Sequence, residues 1–396
     1  MANPQAESEP IVSLVRAKSW GLDERQRNLD VLRGIAVLGA IAGHSGGLMF
    51  DATARSDLIW NLQSHVSSSV YLFFALSGYL IAGPFVRALM DGRPLPPMGN
   101  YASRRVSRIV PAYWLAMTVL LIAAAPAGLT VVGVVAHYLL IHSEIPGQGE
   151  TVYPVAWTLG IEAVFYALVP LGALALAWRS ARVTPARILI PVGGLVIITF
   201  ICHVAGTNIP VLRDSPWDLN DTIVGTLWAF GPGIVVAVAE HAIRTARWRL
   251  SSRLRLHNVS LMVIAGALWL SIISIREPDS TLYTLVDFAA SSILIAAAVS
   301  GAVWRSHVAR ALAYIGLVSY GLYLWHWVII MVLDELFPHH IFLNLSHIGW
   351  VLAFLLVLST SLIPATASWY WVERPVMRAV RRTGPELKRT DGRLPQ

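Results

Sequence analysis

Apolar runs long enough to cross a bilayer recur ten times along these 396 residues. They lie near 31–50, 66–90, 109–126, 155–178, 186–206, 222–241, 258–275, 282–304, 313–336 and 346–372. A bilayer core needs about 20 apolar residues per helix, and a helix satisfies its own backbone there. The chain is therefore read as an all-α polytopic membrane protein with about ten transmembrane helices. An eleventh apolar run, 129–142, is too short to cross and is read as a re-entrant or interfacial segment. Composition agrees: 56% of residues are hydrophobic and 13% charged, where a soluble domain carries about 25% charge.

Cytoplasmic loops concentrate Lys and Arg. With ten crossings and both termini cytoplasmic, every Lys and Arg except Arg55, Arg213 and Arg276 falls inside. If 129–142 crossed as well, every later loop would change sides and the arginine-rich 242–257 loop would face outward. The net charge of +7 is thus read as orientation in a plasma membrane, not as nucleic-acid binding. The expected organisation is a cytoplasmic segment 1–28, a membrane domain 29–375 and a basic cytoplasmic tail 376–396. The tail is read as a solvated anchor near anionic headgroups. No connecting loop reaches the roughly 50 residues of a domain. Residues 1–30 lack the apolar core and cleavage site of a signal peptide, so the first apolar run is expected to be kept. A single cysteine, Cys202, excludes a disulfide framework and a cysteine metal site. No metal is expected.

Residues 42–47, "AGHSGG", fit the G-x-S-x-G elbow of soluble hydrolases. That elbow requires a strand turning into a helix, and 31–50 is an uninterrupted apolar run. Ser45 is read as a helix hydroxyl bonded back to a carbonyl. His44 is different, because ionisable groups in a membrane are costly and face a cavity or a partner. Arg33 precedes it by eleven residues, three helical turns or about 16 Å, so the two share a face. The alternative is a structural histidine plus an arginine reaching for headgroups. Glu162, in "VAWTLGIEAVFYALVP", lies at a depth similar to that of His44 and is expected to orient it. Tyr166 shares its face at i+4. Pairing of Glu162 with an arginine or hydroxyl is the alternative.

Arg105 and Arg108 share a helical face in "YASRRVSRIVPAYW". Clustered guanidiniums suit phosphate; positive-inside anchoring explains them equally well. In "SYGLYLWHWVII", Ser319, Tyr323 and His326 fall on one face. His326 either lines the same cavity as His44 or is a packed histidine. Ser77 and Gly78 are read as small residues permitting close helix packing, and Asp30 as a cap or local partner of Arg33.

Taken in order, these stretches resemble the acyltransferase family 3 group of integral-membrane O-acyltransferases. "LDVLRGIAVLGAIAGH" resembles its first-helix motif of an arginine and a histidine separated by ten residues, here Arg33 and His44. "YLFFALSGYLI" resembles its second-helix signature. "RRVSRIVPAYW" resembles its R-x-x-R element, falling on Arg105 and Arg108. "WTLGIEAVFYALVP" resembles its W-S-L-x-x-E-x-x-F-Y stretch, with Trp157, Glu162, Phe165 and Tyr166, and with Thr158 where serine is common. "SYGLYLWHW" and "WVERP" resemble the closing helices.

The resemblance implies transfer of an acyl group from acyl-CoA to a hydroxyl of a glycan, glycolipid or glycosylated metabolite. On that resemblance His44 and Glu162 are the expected catalytic pair, His44 as general base with Glu162 behind it. Arg33, Arg105 and Arg108 are expected to hold the acyl-CoA donor, and Trp157, Tyr166, Tyr323 and His326 to meet substrate. The rival expectation is a transporter or flippase, which intramembrane polar residues also fit.

Overall fold

The structure, a computed structural model, describes residues 24–48, 69–124, 129–149, 151–213, 215, 218–245, 261, 264–268, 281–300, 304–337 and 346–383. Its longer helices are α1 (Glu24–His44), α2 (Ser69–Asp91), α3 (Met98–Ala123), α4 (Val131–Tyr138), α5 (Trp157–Arg179), α6 (Pro185–Asn208) and α7 (Gly231–Arg244). The series continues with α8 (Thr281–Ser300), α9 (His307–Leu317), α10 (Ser319–Leu336), α11 (Ser346–Ser368) and α12 (Arg374–Thr383). No strand occurs among the described residues. The all-α polytopic architecture read from the apolar runs is the architecture observed.

Among the described residues fewer than ten spans are found. Seven of the described helical segments are long and apolar enough to cross a membrane, or eight if the bent pair α9–α10 counts as one span. Three differences have plain causes. Helix α1 carries Glu24, Arg25, Arg27, Asp30 and Arg33, and so is too charged to count as a lipid-facing span. It stands inside protein instead, with Leu32, Ala36, Val37 and Ile41 fully buried. The run at 258–275 lies largely outside the described residues. The run at 313–336 is not one straight helix: α9 and α10 meet at an angle of 71°.

Helix α1 is the axis of the bundle. Gly34 packs on α9 so closely that a Cβ would overlap the Leu312 carbonyl oxygen, and a Cβ on Gly316 would overlap that of Asp30. Glycine permits this backbone approach where any side chain would hold the helices apart. Helix α2 meets α7 and the turn before it in the same way, Gly78 against Phe230 of that turn and Gly233 of α7 against Ala75. The sequence reading of Gly78 as a packing residue therefore stands.

Helix α4 has eight residues, far short of a crossing. Val131, Val132 and Val135 are exposed along it, as is Leu139 just past its end. Leu140 then takes a left-handed backbone conformation (φ 58°) and the chain reverses. The 129–142 run is thus a short outward-facing apolar helix and a turn.

Candidate active site

The candidate residues stand on α1, α3, α5 and α10. His44 is the last residue of α1. Ser45 closes that end by donating to the Ile41 carbonyl at 2.6 Å, the back-bonded role expected of it. Trp350 Nε1 donates to the Ala42 carbonyl at 2.8 Å and ties the same turn to α11. The helix runs unbroken from Arg33 to His44, so the two lie on one face about 16 Å apart.

His44 meets His326 of α10. The two rings are nearly parallel, with His44 Nδ1 and His326 Nε2 2.9 Å apart. His326 is fully buried, and its Nδ1 lies 3.1 Å from the Leu322 carbonyl oxygen. A carbonyl only accepts, so His326 Nδ1 carries a proton and donates to it. In a neutral ring, His326 Nε2 is then an acceptor, and the proton between the rings belongs to His44 Nδ1. That leaves the Nε2 lone pair of His44 without a proton. Trp327 sets its ring edge against His44, centroids 5.5 Å apart.

Glu162 is not beside that ring. Its carboxylate accepts from Ser77 Oγ at 2.6 Å, and the partner of His44 among the described residues is His326. The expectation that Glu162 orients His44 is replaced by two separate pairs. Ser77, expected to be a packing residue, is instead the hydroxyl partner of that acid. Equal depth in the membrane brings two residues to one level, but only the rotation of each helix decides which way they point.

Glu162 lines a narrow intramembrane cavity of about 90 Å³ together with Arg33, Arg105, Arg108, Tyr166 and Tyr323. The Arg105 guanidinium sits between the Tyr101 and Tyr166 rings, 5.6 Å from each centroid, a cation–π arrangement. Its Nε is buried without a hydrogen-bond partner among the described residues. Arg33 pairs with Asp30 at 3.2 Å, as expected of neighbours at i,i+3. Tyr323 donates to the Val155 carbonyl at 2.9 Å and lies 3.0 Å from Thr158 Oγ1. Its ring also approaches His326, centroids 5.5 Å apart. Tyr323 therefore stands between the cavity and the histidine pair. Trp157 packs on Phe74, centroids 6.0 Å apart, and none of Trp157, His44 and His326 is on the cavity wall.

A second, wider cavity of about 630 Å³ adjoins the first at the end of the bundle where α3 begins. Arg33, Leu80, Arg105 and Arg108 line both. Arg104, Met377 and Arg381 complete much of the outer wall, and Asp30 is the acid on it. The basic tail is not simply a solvated anchor: its start folds as α12 against α3 and puts Arg381 on the vestibule. Glu373, in "WVERP", is buried and bonded to Ser368 at 3.3 Å, within electrostatic reach of Arg108. Sequence reasoning assigns no role to Glu373, only tail anchoring to Arg381, and none beyond packing to Ser77. A buried acid flanked by aromatics is the available signal for Glu373.

Comparison with known proteins places the chain. The acyltransferase domain family (Acyl_transf_3) matches residues 26–367. The chain belongs to the acyltransferase 3 family. It is similar to the exopolysaccharide production protein ExoZ of Rhizobium meliloti (strain 1021), 27% identical over 329 residues, which cover 80% of this chain and 90% of that protein. No solved structure matches. The matched region takes in His44, Arg105, Arg108, Glu162 and His326, so the narrow cavity and the histidine pair lie within it. The protein is a multi-pass membrane acyltransferase, which favours the enzyme over the transporter reading.

Proposed function

We propose that this acyltransferase moves a short acyl group from acyl-CoA to a hydroxyl of a cell-envelope polysaccharide or its precursor, with His44 as general base. The observation that carries the reading is the joined pair of cavities: an arginine-rich vestibule narrowing into a slot that ends at Tyr323, beside the histidine pair. The vestibule brings Arg33, Arg104, Arg105, Arg108 and Arg381 around one opening. Guanidiniums grouped in this way suit the phosphates of a nucleotide-bearing donor. The slot is too narrow for a nucleotide and suits an extended arm. Glu162 and the tyrosine hydroxyls are the acceptors and donors there for its amides. The polysaccharide acceptor rests on the similarity to the exopolysaccharide protein. The vestibule end faces the cytoplasm in this reading, where acyl-CoA resides, and the membrane is the plasma membrane.

The chemistry then follows from the tautomer. His44 Nε2 takes the proton of the acceptor hydroxyl as its oxygen attacks the thioester carbonyl carbon. The C–S bond breaks, and the proton passes from His44 to the departing thiolate. The positive charge on His44 during this step is shared through its Nδ1–H bond to His326. No step in this scheme calls for a metal.

Two variants test it. His44→Ala is expected to abolish acyl transfer while CoA still raises the melting temperature of the purified protein; near-normal turnover would remove His44 from the mechanism. Arg105→Ala combined with Arg108→Ala is expected to raise KM for acyl-CoA by about a hundredfold, at 1–2 kcal/mol for each charge-assisted contact, with KM for the acceptor unmoved. An unchanged KM for acyl-CoA would return these arginines to a topological role.

A further inference from the structure

Helices α5 and α6 are consecutive and joined by a turn of five residues, 180–184, yet they scarcely touch. Neighbours joined so closely ordinarily pack along their length. Here α6 packs on α7 and on the turn before it, α5 packs on α2, and a cleft of about 930 Å³ is left between α5 and α6. Its walls are apolar along their full depth, including Leu171 and Ala175 of α5 and Ile190 and Leu195 of α6. Phe85 and Leu89 of α2 form part of the back wall. At one end the lining changes character: Arg179 and Arg187 flank the mouth. Both are exposed, and neither has an acidic partner among the described residues. Val183 N–H donates to the Leu89 carbonyl at 2.9 Å and pins this mouth to the end of α2. The mouth is therefore at the same end of the bundle as the arginine vestibule, and the cleft uses a different face of α5 from the narrow cavity.

We infer that this cleft binds one anionic phospholipid from the adjoining leaflet, its phosphate between Arg179 and Arg187 and an acyl chain between α5 and α6. Two features select this occupant. An apolar slot of this size opening sideways between membrane helices fits a hydrocarbon chain, and two unpaired guanidiniums at headgroup level fit an anionic phosphate. A neutral or zwitterionic lipid would fill the slot and leave the mouth without a net negative partner. The lipid would support α5 on the flank that no described helix covers. The other flank of α5 carries Glu162 and Tyr166. The inference does not depend on the donor or acceptor named above.

The test uses the full chain in nanodiscs of phosphatidylcholine with a minor fraction of phosphatidylglycerol, released into mild detergent and weighed intact. One phosphatidylglycerol per chain is expected to remain bound, in excess over its share of the bilayer. Arg179→Gln with Arg187→Gln is expected to lower that retention by about thirtyfold, corresponding to about 1 kcal/mol for each cation. Ala175→Trp fills the slot and keeps both arginines, and it is expected to lower retention as well. Retention unchanged in both variants, or phosphatidylcholine held in proportion to its abundance, would overturn the site. If either variant fails to give a monodisperse protein, the preference of the unaltered chain for the anionic lipid decides, and its absence sinks the proposal.

Discussion

At the scale of single residues, the proton on His44 is placed by its neighbour. The Leu322 carbonyl fixes a proton on His326 Nδ1, and His326 Nε2 in turn fixes one on His44 Nδ1. A histidine backed by a histidine is neutral until it takes a proton, so the pair adds no charge to the membrane interior at rest. The arrangement predicts how substitutions at His326 should rank. His326→Ala removes the acceptor for His44 Nδ1–H and is expected to lower kcat by about 10²- to 10³-fold, within the range of general-base effects, while KM for acyl-CoA stays near its starting value. His326→Gln offers an amide oxygen to the same N–H and is expected to restore part of that loss. Steady-state kinetics of the two variants check the ranking. Equal loss in both, or a loss confined to KM, would mean that His326 only packs.

At the scale of elements, two contacts make contrasting predictions. Gly316 of α9 lies against the Asp30 carbonyl of α1, with no room for a Cβ. Gly316→Leu must push backbone from backbone and is expected to destabilise the protein by about 3 kcal/mol or more, above ordinary overpacking. A methyl group added at Gly193 of α6 would meet nothing within 4 Å, so Gly193→Ala is expected to leave the melting temperature within a degree or two or to raise it slightly. Thermal unfolding in detergent reads both. The second contact lies outside the spans. His137 and His142 are fully buried and face each other, ring centroids 3.9 Å apart. The Tyr153 N–H donates to His137 Nε2 at 3.4 Å, which requires that nitrogen unprotonated. Burial lowers His137 to about 4 and His142 to about 3, from 6.5. In the unfolded segment both rings take up protons below about pH 6.5, while in the folded segment they stay neutral down to the lowered values. Their contribution to stability is therefore complete above pH 6.5 and is lost as pH falls towards 4, by about 2 kcal/mol for each ring at pH 5. Hydrogen exchange across residues 131–144, corrected for its intrinsic pH dependence, should show protection falling between pH 6.5 and 5. Protection that stays level over that interval would contradict this reading.

At the scale of the whole molecule, the two ends differ in chemistry. One end gathers the vestibule arginines, the lipid-cleft mouth and α12. The other holds the apolar helix α4 and the turn that follows it. In a Cys202→Ser background, Arg382→Cys on α12 and Pro146→Cys beyond α4 both place thiols at exposed positions. A membrane-impermeant maleimide added to intact cells should label Pro146→Cys, and it should reach Arg382→Cys only after the cells are opened. The reverse pattern would invert the orientation and detach the vestibule from the cytoplasmic supply of acyl-CoA.

The apolar runs determined the helical membrane architecture without reference to any contact, because bilayer thickness and backbone satisfaction leave few alternatives. Spacing along a single helix was equally sufficient: Arg33 and His44 on one face, Arg105 beside Arg108, the back-bonded Ser45, and the pair of Asp30 with Arg33 all depend on local geometry. Partnerships between helices were another matter. His326 rather than Glu162 meets His44, Ser77 meets Glu162, and Arg381 returns from the tail to the vestibule. Periodicity gives each helix its polar face, but the rotation and crossing of helices set by backbone contacts such as Gly34 on Leu312 and Gly316 on Asp30 decide which faces meet. That information is distributed over the packed core, and it became readable only in three dimensions.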